Sequence, residues 1–203
     1  MSTDAAGSYP EIAAVILAAG SSSRMGQPKQ LLEWQGKTLL EGIVAKVKEA
    51  GTGEVFVVLG AKAKKIIPVL EDQPITLVEN PDWERGMGTS VVAGVRAAMA
   101  SGADAALVVL VDQPYVSVAL LRDILQLHRE HPKALIVSDY GTHSGVPALF
   151  PAFFFPELLL LKGDEGARKI IKRYSGEKIA VSFPEGNLDL DTPEDWNRLI
   201  SEA

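Results

Sequence analysis

The sequence predicts an α/β fold in which a mostly parallel β-sheet lies between two layers of helices. Apolar runs of strand length alternate with amphipathic stretches along the chain, which is the pattern of repeated β-α-β units. Two runs, residues 12–19 and 105–111, are apolar at every position, as in strands that are covered on both faces. The chain has 203 residues and an apolar content of 47%, which is enough to form the core of one domain. We therefore expect a single domain over residues 1–203.

The first half of the chain predicts strands and helices in alternation. Thr38 and Glu41 have the spacing of a capping box, and apolar residues then recur at helical intervals until Gly51. This pattern predicts a helix over about 38–50. The other elements of this half follow from the same patterns, with strands at 12–19, 55–59 and 75–78 and helices at 61–70 and 89–100.

The second half continues the alternation with one interruption. Ser117 can cap a helix that ends near Glu130, because a proline follows two residues later and cannot continue it. Residues 141–155 contain two prolines and two glycines and predict an inserted hairpin or loop. Thr192 and Pro193 predict the start of a terminal helix. The remaining predictions are strands at 105–111, 134–140 and 178–183 and a helix at 165–174.

Charge and composition exclude several classes of partner and site. Twenty Lys and Arg against 26 Asp and Glu give a formal net charge of −6 with no basic run, so we expect no nucleic-acid partner. No apolar run reaches the roughly 18 residues of a membrane span, and the start MSTDAAGSYPE lacks the features of a signal peptide. We therefore expect a cytoplasmic protein with no membrane partner. Zero cysteines exclude disulfides, thiolate metal sites and a cysteine nucleophile.

A loop rich in glycine and serine follows the first predicted strand. At the carboxyl edge of a parallel sheet such a loop can direct backbone N–H groups at phosphate oxygens, and Arg24 and Lys29 add positive charge. A P-loop requires a lysine directly after its second glycine, but Gln27 follows Gly26, so a P-loop ATPase is excluded. The alternative interpretation is a solvated turn with two surface cations.

Residues 86–88 read Gly-Met-Gly and resemble the opening of a dinucleotide-binding fingerprint. The third glycine is missing, and the segment follows a polar loop rather than a strand. About twenty residues further on, where an acid would hold a ribose, the chain has Ala106 and Leu107. Contact with a base or ribose and a plain tight turn are the two interpretations of these glycines.

Asp112 follows the buried strand at 105–111 and reaches the same edge of the predicted sheet. A carboxylate there could hold a hard cation such as Mg²⁺, which proteins usually bind through one or two carboxylates together with substrate phosphates. The alternative is an aspartate that starts a turn before Pro114.

A second group of polar residues lies near the end of the chain. Asn187, Asp189 and Asp191 alternate with leucines and are expected on one face of a short strand. We expect Asp191 to support the cap beside Thr192. Asp189 has no such local role and is the better candidate for a metal ligand.

The histidines and the phenylalanine run show no pattern typical of a catalytic site. His128, His131 and His143 lie singly, without ligand spacing, so each is expected at the surface or in a turn. Residues 153–155, three consecutive phenylalanines, predict either core packing or an exposed apolar contact. The expected oligomeric state is a monomer, unless this run is exposed.

Six segments, in this order, resemble the molybdenum cofactor cytidylyltransferase branch of the MobA-like nucleotidyltransferase family: LAAGSSSRMGQPKQLL, ENPDWERGMGTSV, VDQP, GVPALF, GDEGAR and DLDTPEDW. The resemblance extends from about Val15 to Trp196. The form LAAG at residues 17–20 is similar to the cytidylyl branch, whereas guanylyl relatives more often carry LAGG. The resemblance implies a three-layer, Rossmann-like nucleotidyltransferase domain.

The resemblance also implies roles for individual residues. Arg24, Lys29 and Asp112 would serve catalysis, and Asp112 and Asp189 would hold Mg²⁺. The implied nucleotide-binding residues are Leu17, Ala18, Ala19, Gly20, Ser21, Ser22, Ser23, Arg24, Lys29, Asn80, Gly88 and Ser90. The implied acceptor-binding residues are Gly145, Pro147, Gly163, Asp164 and Arg168.

The function expected from this resemblance is a Mg²⁺-dependent CTP:molybdopterin cytidylyltransferase, which joins CMP to the terminal phosphate of the pterin cofactor and releases pyrophosphate. Such a transfer needs charge neutralisation and alignment more than a protein nucleophile, which suits a chain without cysteine. The expected partners are CTP or GTP, a molybdopterin-type phosphate acceptor, and a molybdoenzyme or its chaperone. The alternatives are an NAD(P)H-dependent reductase related to nicotine blue oxidoreductase, a cytidylyl or guanylyl transferase with a different acceptor, and a non-catalytic molybdenum cofactor carrier.

Overall fold

The computed structural model describes residues 11–188 and 190–201. In these residues a seven-stranded sheet and a separate two-stranded hairpin are present. The strands are β1 (Ile12–Leu17), β2 (Glu33–Trp34), β3 (Lys37–Thr38), β4 (Val55–Leu59), β5 (Thr76–Glu79), β6 (Ala105–Leu110), β7 (Leu135–Asp139), β8 (Ser144–Pro151) and β9 (Lys178–Ser182). The helices are α1 (Leu39–Ala50), α2 (Ala63–Ile66), α3 (Met87–Ala100), α4 (Val118–Glu130), α5 (Phe155–Leu158), α6 (Arg168–Arg173) and α7 (Pro193–Ser201).

The large sheet has the strand order β5-β4-β1-β6-β8-β7-β9. β1 pairs in parallel with β4 and β6, and the pairs β4–β5 and β7–β9 are also parallel. β8 pairs antiparallel with both of its neighbours, β6 and β7. Of the seven strands described, β8 therefore runs against the others. The predicted α/β fold with a mostly parallel sheet is confirmed.

Helices cover both faces of this sheet. Ile16 of β1 belongs to the core beneath α1, α2, α4 and α7, whereas its neighbour Val15 belongs to the core beneath α3, α5 and α6. Both side chains are fully buried, which explains why this strand is apolar at every position. Gly94 of α3 lies so close to β1 that a Cβ atom there would overlap Val15, so this helix crossing requires a glycine.

Local hydrogen bonds confirm two predicted helix starts. Thr38 caps α1: its Oγ1 accepts a hydrogen bond from Glu41 N at 3.1 Å, and its own backbone N donates to the Glu41 carboxylate at 2.9 Å. Ser117 caps α4, since Leu120 N donates to its Oγ at 3.1 Å. The predicted helix at 61–70 is shorter than expected, because α2 gives way to a 3₁₀ turn that contains Pro68, which has no N–H to donate.

The interruption expected at 141–155 is a hairpin, as predicted. β8 folds back on β7 and lies between β7 and β6, and a 3₁₀ turn then leads into α5. The phenylalanine run divides between core and surface: Phe154 and Phe155 are buried, and the side chain of Phe153 is 58% exposed. The small hairpin of β2 and β3 has no counterpart among the predictions.

The prediction of a short strand at 187–191 is wrong. Residues Pro184–Asn187 form a 3₁₀ turn, and Leu188 and Leu190 lie outside any strand. Gly186 packs against the ring of Tyr140 with no room for a side chain. This tertiary contact, and not the alternating sequence pattern, determines the backbone conformation of the segment. Asp189 lies outside the described residues.

The expectation that His128 lies at the surface or in a turn is also wrong. Its side chain is 2% exposed, because it follows Leu121 by seven residues on the apolar face of α4. Burial lowers the pKa of His128 below its usual value. Within the described residues, no helix has both the length and the apolar character needed to cross a lipid bilayer.

Candidate active site

The carboxyl ends of β1 and β6 lie side by side. Leu17 pairs with Leu110 at the ends of these strands, so the loop after β1 and Asp112 after β6 emerge at the same edge of the sheet. Ligands of open α/β sheets bind beyond this edge. The residues gathered there form the candidate active site.

Gln30 fixes the start of the glycine- and serine-rich loop. Its side chain is buried, and its Nε2 donates to Ala18 O at 2.7 Å and to Gly20 O at 3.0 Å. The two carbonyl groups are therefore turned inward and satisfied. Gln30 is not among the site residues predicted from the sequence. Its signal in the sequence is an amide side chain directly before two leucines, in a loop whose carbonyl groups need hydrogen-bond donors.

Ser22 closes the same loop on itself. Its Oγ accepts a hydrogen bond from the backbone N of Lys29 at 3.0 Å, and its own backbone adopts a left-handed conformation with φ of 52°. In the part of the chain that the structure describes, the N–H groups of Gly20 and Ser21 have no acceptor. They are available to an anionic ligand, as a phosphate-binding loop requires.

Four charged side chains meet at the end of this loop. Lys29 Nζ lies 2.5 Å from Asp112 Oδ2, 3.2 Å from Asp191 Oδ1 and 3.3 Å from Leu190 O. Arg24 Nη2 lies 2.6 Å from the other carboxylate oxygen of Asp191. The loop after β1, the residue after β6 and the segment before α7 are thereby joined by ion pairs.

Lys29 and Asp112 are the least exposed pair of this cluster, with side-chain exposures of 13% and 17%. Burial alone would lower the pKa of Lys29, but the neighbouring carboxylates of Asp112 and Asp191 more than offset it and raise the pKa above 10.5. Lys29 therefore carries a fixed positive charge at neutral pH.

Asp112 has a carboxylate oxygen to offer a cation. Its Oδ1 is buried and has no hydrogen-bond partner among the described residues, while Oδ2 pairs with Lys29. The described residues hold no cluster of three or more His, Asp or Glu side chains that could bind a metal alone. A divalent cation would therefore be held by Asp112 and Asp191 together with oxygen atoms of a bound triphosphate, as is usual for Mg²⁺.

The prediction that Asp191 only supports the cap beside Thr192 is wrong. The cap acceptor is Asp195, whose Oδ2 accepts hydrogen bonds from Thr192 N at 2.9 Å and from Thr192 Oγ1 at 2.8 Å. These bonds from Thr192 lower the pKa of Asp195. The sequence does contain a signal for this cap, because Thr192 and Asp195 have capping-box spacing. The carboxylate of Asp191 is therefore not needed for the cap and pairs with Arg24 and Lys29.

Two cavities meet at this cluster. The first, of about 270 Å³, lies between the loop after β1 and the start of α3. We call it the nucleotide cavity, because most of the predicted site residues in its wall are ones expected to bind a nucleotide. The second, of about 460 Å³, lies between β8, α6 and the segment before α7. We call it the acceptor cavity, because Gly145 and Arg168 in its wall are ones expected to bind the acceptor. The residues that line both are Leu17, Lys29, Met87, Leu110 and Asp112.

The structure brings many of the predicted site residues to these cavities. Those in the wall of the nucleotide cavity are Leu17, Ala18, Ala19, Gly20, Lys29, Ser90 and Asp112. Arg24, Gly145 and Arg168 line the acceptor cavity. Asp164, assigned to the acceptor, lines the nucleotide cavity instead. Ser21, Ser22, Ser23, Asn80, Gly88, Pro147 and Gly163 are not among the lining residues of either cavity.

The two glycines at the start of α3 serve chain packing. Gly88 N donates to Gly163 O at 2.8 Å, and a Cβ atom on Gly86 would overlap the backbone of Gly163. A Cβ atom on Gly88 would lie 3.0 Å from Lys162 N. The loop before α6 therefore packs directly against these glycines, and Gly86 also lines the nucleotide cavity.

Asn80 lies behind the nucleotide cavity. Its Nδ2 donates to Thr89 Oγ1 at 2.9 Å and to Ser90 Oγ at 3.0 Å, and its Oδ1 accepts from Asp82 N at 3.1 Å. With these bonds made, its side chain positions Ser90, which does line the cavity. In this structure the hydrogen bonds of Asn80 give it a positioning role behind the cavity.

Gln113 is a second residue that the sequence analysis did not assign. Its Nε2 donates to Tyr140 Oη at 2.9 Å and to Val146 O at 3.0 Å, which ties β6 to the hairpin in the wall of the acceptor cavity. Because the carbonyl of Val146 can only accept, the amide orientation is fixed. Its Oε1 is buried and has no partner within the described residues. A donor group on a ligand in the acceptor cavity would satisfy it.

Residues 14–179 match the family described as the MobA-like NTP transferase domain. Nicotine blue oxidoreductase of Paenarthrobacter nicotinovorans is 34% identical over 202 residues, which cover 94% of this chain and 97% of that protein. A molybdenum cofactor guanylyltransferase of Xanthomonas euvesicatoria pv. vesicatoria is 34% identical over 200 residues, covering 93% and 94%. Molybdenum cofactor cytidylyltransferase of Escherichia coli is 26% identical over 183 residues, covering 90% and 92%.

The fold is also similar to that of a solved structure, Rv0371c of Mycobacterium tuberculosis H37Rv. The two align with a TM-score of 0.79 and 32% identity, over 96% of this chain and 99% of that one. A complex of Rv0371c with manganese aligns with a TM-score of 0.75 and 30% identity, over 95% and 100%.

Proposed function

Since the chain belongs to the MobA-like NTP transferase domain family and is a nucleotidyltransferase, we propose that it is a divalent-metal-dependent CTP:molybdopterin cytidylyltransferase. The relatives named as molybdenum cofactor cytidylyltransferase and guanylyltransferase support the pterin acceptor. The manganese complex of Rv0371c supports a divalent cation. Mg²⁺ is the proposed physiological ion, because the available ligands are carboxylate oxygens.

The observation that carries this proposal is the position of Lys29 and Asp112 where the two cavities meet. A transferase that joins two phosphate-bearing molecules needs a binding space for each and fixed charge between them. Lys29 supplies a largely buried ammonium group in the wall of both spaces. A protein with only one ligand would not need this arrangement.

In the proposed reaction, an oxygen of the acceptor phosphate attacks the α-phosphorus of CTP, the bond from that phosphorus to the bridging oxygen of the β-phosphate breaks, and pyrophosphate leaves. Lys29 stabilises the negative charge that builds up between the two ligands. Arg24, which is exposed and reaches Asp191 in this structure, is free to turn to the triphosphate. The N–H groups of Gly20 and Ser21 hold phosphate oxygens. A divalent cation bound by Asp112 and Asp191 would supply further charge neutralisation.

The proposed preference for CTP rests on Ala18 and Ala19 in the wall of the nucleotide cavity. In this proposal, alanine at these positions leaves less room for the base than glycine would, which favours a pyrimidine over the larger purine. Ser90, held by Asn80, is the proposed polar contact to the base or ribose. The identity of 34% with a guanylyltransferase makes GTP the competitor to test.

A nicotinamide-dependent reductase is the alternative suggested by the relative named nicotine blue oxidoreductase. Against it stand the missing third glycine of the dinucleotide-binding fingerprint and the packing of Gly86 and Gly88 against Gly163. The unpartnered Oδ1 of Asp112 also favours a metal–triphosphate complex over a dinucleotide, because a divalent cation would satisfy it.

Pyrophosphate release tests the proposal. The purified protein is incubated with Mg²⁺ and each of CTP, GTP, ATP and UTP, with and without molybdopterin. We expect acceptor-dependent release with CTP and much less with GTP. Release with GTP alone would reassign the base. Failure with every nucleotide, together with oxidation of a reduced nicotinamide, would favour the reductase.

A further inference from the structure

A third cavity, of about 260 Å³, opens beside the acceptor cavity. His143 and Arg168 line both cavities, so the two cavities adjoin at these side chains. Its lining residues are His143, Ser144, Arg168, Ile171, Lys172, Ser175 and Lys178, and we call it the basic pocket. No residue of this lining is an Asp or Glu.

Local structure places the cations of the basic pocket. Arg168 and Lys172 are four residues apart on α6, so their side chains extend from the same face of the helix. Lys178 begins β9 and comes to the pocket from the sheet, where its Nζ donates to Ser144 Oγ at 2.8 Å. Three cations from two elements thus converge on one space.

The other cations of α6 are neutralised. Lys169 pairs with Glu165 at 2.5 Å, and Arg173 pairs with Glu157 at 2.5 Å. Arg168 and Lys172, by contrast, have no ion-pair partner in residues 11–188 and 190–201. The chain carries a formal net charge of −6, yet the positive charges of the two α6 side chains that line the pocket are not balanced by an ion pair within the described residues.

We propose that the basic pocket binds a second anionic group of the acceptor, separate from the phosphate that receives the nucleotide. The inference rests on the proposed function, because it requires that the acceptor occupy the adjoining cavity. Lys29 and Arg168 both line the acceptor cavity, and Arg168 also lines the basic pocket, so an acceptor whose phosphate lies at Lys29 shares its cavity with a side chain of the basic pocket. Cations that have no ion-pair partner and line one pocket favour an anion with several acceptor atoms.

The test measures binding without requiring turnover. Molybdopterin is titrated into wild-type protein, into the double variant Lys172→Gln/Lys178→Gln and into a control, Lys64→Gln/Lys65→Gln, which removes two exposed lysines of α2. We expect the double variant to bind molybdopterin about tenfold more weakly at low salt, with less difference at high salt, and to bind CTP within twofold of wild type. The control should match wild type, and melting temperatures should show all three proteins folded.

A second arm separates an acceptor group from a free oxyanion. Inorganic phosphate is titrated into CTP-saturated, isotope-labelled protein, and amide NMR shifts of residues 142–145 and 171–178 are followed. One outcome is that phosphate changes these amide shifts in wild-type protein but not in the double variant, while both proteins bind molybdopterin equally. That outcome would identify a site for free anions and overturn the proposal. Equal molybdopterin affinity without such shifts would overturn it as well. Failure of the proposed function would instead appear as wild-type protein that releases no pyrophosphate from any nucleotide, a readout independent of both titrations.

Discussion

Replacing Asp112 by asparagine separates its role in catalysis from its role in stability. The change keeps the shape of the side chain and removes its charge, so Lys29 loses the ion pair that it makes at 2.5 Å but keeps Asp191 at 3.2 Å and Leu190 O at 3.3 Å. Because these partners remain, we expect a loss of about 1 kcal/mol in the free energy of unfolding, within the range of hydrogen bonds to charged groups after partial compensation. For a chain of this size, that loss corresponds to a fall in melting temperature of roughly 2–4 °C.

The expected loss in turnover is much larger. The buried Oδ1 of Asp112 is the proposed cation ligand, and the loss of a carboxylate ligand removes several kcal/mol of charge stabilisation, or about 100-fold or more in kcat. The assay is Mg²⁺-dependent pyrophosphate release from CTP in the presence of molybdopterin, and Asp123→Asn on the exposed face of α4 is the matched control. Turnover within threefold of wild type at an unchanged melting temperature would remove Asp112 from the mechanism. A loss of turnover that only follows the fraction of unfolded protein would make its role structural.

Lys29→Gln should weaken CTP binding by about 1.5–3 kcal/mol, and Arg24→Gln by less, because the Arg24 side chain is 68% exposed to screening solvent; isothermal titration with CTP checks both. Ala19→Gly should raise kcat/KM for GTP relative to CTP, and an unchanged ratio would refute the steric argument. The raised pKa of Lys29 keeps it protonated, so kcat/KM for CTP should show no alkaline loss from this group below about pH 10, whereas a fall near pH 8 would contradict that assignment. The lowered pKa of His128 means that the unfolded chain binds more protons, so stability from this group is present above pH 6.5 and is lost as pH falls through and below that value; His128→Leu should flatten this part of the stability curve measured by denaturant unfolding.

The sequence predicts most of the fold because its strong signals are local. The capping box of Thr38 and Glu41 and the fully apolar run that forms β1 specify their elements without reference to the rest of the chain. The segment at 184–191 shows where local signals fail. Its alternation of leucines and acids is typical of a strand, but Gly186 packs on Tyr140, and this contact depends on the hairpin more than forty residues earlier.

The site could be predicted in part for the same reason. Lys29 and Asp112 follow strands, so their meeting at one sheet edge follows from the α/β topology alone. The roles of Gln30 and Gln113 could not be predicted, because each depends on carbonyl groups whose direction only the folded loops define. The missed contact of Asp191 with Lys29 joins residues 162 positions apart, for which a single sequence gives no distance information.

Under the proposed function, the architecture separates nucleotide choice from acceptor choice. The nucleotide cavity is lined mainly by the loop after β1 and the start of α3, whereas the acceptor cavity is lined mainly by the β7–β8 hairpin, α6 and the segment before α7. Substitutions in the second set can change the acceptor without disturbing Lys29 and Asp112, which belong to both. Two relatives that carry different names are each 34% identical to this chain. Substitutions around one cavity that leave the other cavity intact would produce such a family. The basic pocket adjoins only the acceptor side, so its cations should affect which acceptor is used and leave the choice of nucleotide unchanged.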